Sequence, residues 1–68
     1  MTRSEKISML IDLAKGATDN KDTIKTFVLI VDTLDCWEEA IHELSENEYN
    51  HEKLNDYIWR LVIKYRDD

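Results

Sequence analysis

Residues 26–44 read TFVLIVDTLDCWEEAIHEL, and the fold turns on whether this stretch is one helix, two helices, or a strand followed by a helix. Thr26 to Thr33 is rich in β-branched residues, which favour a buried strand. A strand needs a partner, however, and nothing else in the chain reads as one, so only a strand-paired dimer would rescue that reading. Ile24, Phe27, Val28, Val31 and Leu34 recur at the three- and four-residue spacing of a helical face, and a helix is predicted.

The same helix does not run on without interruption. At about 100° per residue, the group around Ile24, Val28 and Val31 would point well away from the later group of Trp37, Ile41 and Leu44. Asp32 and Thr33 are poor mid-helix residues, and Asp35 followed by Glu38 has the spacing of an N-terminal cap. The chain is therefore expected to break or kink between Asp32 and Asp35.

Outward from this stretch the pattern stays helical. Asp19, with Asp22 three residues on, marks the start of the second helix. The third runs to about Ser45, and after a polar segment Asn50 is the expected N-cap of the fourth. In that last helix Leu54, Tyr57, Ile58, Leu61, Val62 and Tyr65 share one face, with Trp59 and Ile63 widening it beyond what a surface helix needs. Near the beginning of the chain, Thr2-Arg3-Ser4-Glu5 has capping-box spacing, Ile7, Leu10, Ile11 and Ala14 form a stripe, and Gly16 after Lys15 reads as a left-handed C-cap. The prediction is an all-α bundle forming a single domain over residues 1–68. Its helices lie at about 3–15, 20–32, 35–46 and 51–66, or number three if the second and third fuse.

Composition narrows the function. A 68-residue domain buries only about 60% of its unfolded surface and usually needs a staple. One cysteine, Cys36, excludes an internal disulfide and favours a reducing compartment. Met1 to Lys6 is polar and charged, unlike a secretory leader, and no apolar run approaches the roughly 18 residues of a membrane span. With a disulfide excluded, a metal, a partner or self-association is left as the staple, and a cytoplasmic protein is expected. The net charge of −6 disfavours nucleic acid and anionic membranes.

That charge is local. Between Lys25 and Lys53 stand eight carboxylates and no Lys or Arg. Asp32, Asp35, Glu39, Glu43 and Glu46 follow one another at three- or four-residue spacing and would share a face if the backbone is helical throughout. A face of one sign suits a basic surface on another protein, such as a nucleic-acid-binding protein, while the plainer reading is a solubilising face partly neutralised by Arg60, Lys64 and Arg66. Trp59 and Ile63 are the expected apolar contact residues.

Catalytic and metal patterns are not found. His42 with Glu38 or Glu46, and His51 beside Glu52, match no zinc signature, and Cys36 lies among acids that weaken a thiolate. A single glycine leaves no phosphate-cradling loop. The expectation is a non-enzymatic acidic protein-binding module without metal or cofactor, a regulator or inhibitor that shows its acidic helix to a basic partner. The alternative is a structural homo-oligomer, most simply a dimer, held through an apolar helix face.

Overall fold

In the computed structural model, which describes residues 2–66, the chain forms α1 (Arg3–Ala17), α2 (Lys21–Leu34), α3 (Trp37–Glu46) and α4 (His51–Arg66). No strand occurs among the described residues, so the β-branched run is helix. The β-branched residues Ile24 and Val31 are buried within α2 together with Phe27, which outweighs their modest helix penalty.

The break in residues 26–44 is real, and its chemistry differs from the expected cap. Asp35 sits in the left-handed region (φ 53°, ψ 39°), alone among non-glycine residues described. Its N–H donates to the Asp32 carbonyl at 3.3 Å, and the Cys36 N–H donates to the Val31 carbonyl at 3.2 Å. These are the two bonds of a Schellman ending, closed by burial of Val31 and Cys36. Asp35 therefore ends α2 instead of capping α3. That N-cap position falls to Cys36, which makes no side-chain capping bond. A glycine is the usual residue here; aspartate is among the few others that tolerate the conformation.

Two more boundaries shift. Gly16 lies inside α1, and no glycine has positive φ. The helix stops instead at Thr18, whose extended backbone is pinned by its side chain. Its N–H still reaches the Ala14 carbonyl at 3.0 Å, while its hydroxyl accepts from the Asn20 N–H at 3.1 Å and contacts His51 Nδ1 at 2.8 Å. With those bonds made, no left-handed residue is required. The N-cap of α2 is Asn20, not Asp19: its Oδ1 accepts from the Thr23 N–H at 3.1 Å.

The other caps stand where the sequence places them. Thr2 and Glu5 form a reciprocal capping box, and Asn50 Oδ1 accepts from the Lys53 N–H at 2.9 Å. Such caps are each worth about 1 kcal/mol, a large share for so small a chain.

α1 and α2 each contact the other three helices. Phe27, Leu10, Leu54, Leu61 and Val31 are the largest fully buried side chains. Each contributes about 1.5–3 kcal/mol through burial. α3 adds Trp37, Ala40 and Leu44 on its inner side, and α4 adds Tyr57 and Ile58. Trp59 and Ile63, on the outer side of α4, remain 66% and 57% exposed. No helix is long and apolar enough to cross a membrane.

Candidate functional site

The turn at Asp35 divides the acidic series. Asp32 stays on α2, Asp35 stands exposed at the junction, and Glu39, Glu43 and Glu46 belong to α3. The expected single face of five carboxylates, which assumed an unbroken helix, is therefore split between two elements. On α3 the inner side is taken by Trp37, Ala40 and Leu44, so the helical phase turns Glu38, Glu39, His42, Glu43 and Glu46 away from the core. α3 has no Lys or Arg.

Three of the predicted acids have partners within the chain. Asp32 accepts from the Arg3 guanidinium at 2.8 Å; this pair is largely solvent-exposed and is worth about 1 kcal/mol or less. Glu39 accepts from Lys64 Nζ at 2.6 Å through one oxygen and from the Tyr65 hydroxyl at 2.8 Å through the other. Those two donors hold its carboxyl below the usual carboxylate value, Lys64 having the larger effect. Glu43 accepts from the Tyr49 hydroxyl at 2.6 Å. Burial, and then this bond, push Tyr49 up to about 12.

Glu39 and Glu43 thus have a structural duty, tying α3 to α4 and to the loop before it. Glu38 and Glu46 are exposed and make no side-chain hydrogen bond or ion pair among the described residues. Glu38 lies off the three- and four-residue spacing that runs through Asp32. Counting from Trp37, the first residue of α3, brings it onto the outer face.

His51 and Cys36 occupy structural positions. His51 bridges helix ends, its Nδ1 at 2.8 Å from Thr18 and its Nε2 at 3.2 Å from the Asn55 amide. Cys36 is buried, and burial, followed by the nearby Glu39 charge, raises its thiol pKa. No group of three His, Cys, Asp or Glu side chains among the described residues is placed to hold a metal ion.

A second surface was not legible from periodicity. α1 and α2 leave an open groove of about 450 Å³ between them, floored by Ile7, Ile11, Ile24, Val28 and Trp37. Lys15, Lys21 and Lys25 stand on its rim near the α1–α2 corner, with Asp32 toward the other end and Leu29, 62% exposed, along one side. Lys21 and Lys25 do show i, i+4 spacing, but their position over an apolar floor depends on which helix packs beside α2. The chain matches no family model, no curated protein and no solved structure, so its functional reading rests on its own residues.

Proposed function

We propose that this chain is a non-enzymatic protein-binding module, a regulator or inhibitor that presents the outer face of α3 to a basic surface on a partner protein. The observation that carries this reading is the one-signed character of that face. Its four carboxylates have no Lys or Arg on the same helix, and among the described residues only Lys64 reaches over from α4 to pair with one of them. A purely solubilising face has no need to exclude cations, since charges of both signs hydrate well. Clustered carboxylates instead raise the negative potential, steer a basic partner and match its charges on contact.

Glu38→Lys/Glu46→Lys is the suitable variant, because it reverses two charges without touching the bonds of Glu39 or Glu43. A partner captured by the native chain should be lost by this variant with helicity unchanged, and its affinity should fall steeply with salt. Equal capture by both chains, or a complex indifferent to salt, rules the reading out.

A second reading, homo-oligomerisation, is favoured by one specific observation. Trp59 and Ile63 lie side by side on the outer side of α4, large and uncovered. Uncovered apolar side chains of this size are typical of contact surfaces.

A further inference from the structure

We propose that copies of this chain associate head to tail, the outer ridge of α4 in one copy seating in the open groove between α1 and α2 of the next. This deepens the homo-oligomer reading and rests on it. The argument begins with the ridge. Glu52, Asp56, Trp59, Ile63 and Arg66 follow at spacings of three and four, all exposed, and line up on the side of α4 opposite Leu54, Tyr57, Ile58 and Leu61. The ridge is acidic at its start, apolar in the middle and basic at its end.

The groove has the complementary order. Lys15, Lys21 and Lys25 stand at one end, the floor of Ile11, Val28 and their neighbours fills the middle, and Asp32 lies at the other. Both helices rise about 1.5 Å per residue, so the two patterns keep step. With α4 laid parallel to α2 and Asp56 level with Lys21, Trp59 comes level with Ile24 and Lys25. Ile63 then falls level with Val28, and Arg66 arrives beside Asp32, which already accepts from Arg3, so the charge match rests on Glu52 and Asp56 against the lysine rim. Ridges entering grooves are the ordinary way helices pack, and here charge selects both direction and register.

A symmetric contact of α4 with α4 would also cover Trp59 and Ile63. It would leave Leu29 and the lysine-rimmed groove bare, whereas the head-to-tail contact covers the two exposed apolar regions together. The contact is heterologous, so an open assembly keeps one unused ridge at one end and one unused groove at the other unless a ring closes.

The test is complementation between two variants altered only at exposed positions. Lys21→Glu/Lys25→Glu disables the groove, and Trp59→Ala/Ile63→Ser disables the ridge. Circular dichroism checks that both remain folded, and sedimentation equilibrium over a concentration series reads the mass. The native chain should associate and each variant alone should be a single chain. An equimolar mixture should regain one intact contact and form a heterodimer. If the native chain stays monomeric at hundreds of micromolar, the homo-oligomer reading and this pairing fall together. If the native chain associates but the groove variant associates equally well, or the mixture stays monomeric, the pairing is overturned while self-association survives.

Discussion

Tyr57 takes a hydroxyl into the core without satisfying it. The ring is well placed, 6.1 Å from Phe27 and 5.8 Å from Tyr49 between centroids, and the residue is buried. Its oxygen nevertheless has no hydrogen-bond partner among the described residues. A buried hydroxyl that gives up water and gains no bond costs about 1–3 kcal/mol, whereas the ring contributes the packing. Tyr57→Phe keeps the ring and removes the orphaned group. The variant should be more stable by about 1 kcal/mol, read as a higher urea midpoint at unchanged slope. Tyr49 should behave in the opposite way, because its hydroxyl donates to Glu43 and Tyr49→Phe strands that contact. The two tyrosines carry the same side chain. What separates them is whether a carboxylate stands within reach.

At the level of the element, helix ends show where side-chain chemistry overrides a familiar signal. Gly16 occupies a helical position, and a Cβ built there meets nothing within 4 Å. Gly16→Ala should therefore stabilise α1 by about 0.5–1 kcal/mol, since alanine costs less backbone entropy and creates no clash. Were Gly16 the left-handed cap suggested by its sequence context, the same change would destabilise; thermal melting decides the sign. Asp35 supplies the converse case, a side chain held where glycine is preferred. Asp35→Gly removes the steric cost of the left-handed backbone and leaves the bonds to Asp32 and Val31 in place. It should be neutral to stabilising, while Asp35→Val should destabilise by more than 1 kcal/mol, because a β-branched residue resists that conformation. The loss should appear in the same melting series.

Over the whole molecule, charge is sorted by region, and stability should depend on pH accordingly. Eight carboxylates in residues 26–52 exceed the net charge of −6, so the rest of the chain is slightly basic. Burial raises Tyr49 to about 12 and raises Tyr57 as well, while the bonds to Glu39 raise Tyr65 and Lys64. In all four the folded chain binds its proton more tightly than the unfolded one. Their contribution is present in full below about pH 10 and is lost as pH climbs from there through the raised folded values. Glu39 is lowered, so its contribution holds above the ordinary carboxylate range and is lost as pH falls through its folded value. The raised Cys36 thiol adds a loss that begins near the unfolded thiol value, so denaturation midpoints should form a plateau from mildly acidic pH to about pH 8.5 and decline on both sides. Glu39→Gln should flatten the acid edge; an unaltered acid edge would show that the bonds to Lys64 and Tyr65 contribute nothing there. Residue spacing alone predicts three or four helices, a break in residues 26–44 and the inward faces, because helical phase is a local property carried by three- and four-residue spacing. The sequence also determined that the acids concentrate on the third helix. Which acids gain partners follows from packing alone: Glu39 and Glu43 meet Lys64, Tyr65 and Tyr49 across helix and loop contacts that no spacing encodes. The lysine-rimmed groove belongs to the same class, since it exists only where α1 lies beside α2. A surface made by two elements depends on how they pack, and packing is settled by the whole core at once.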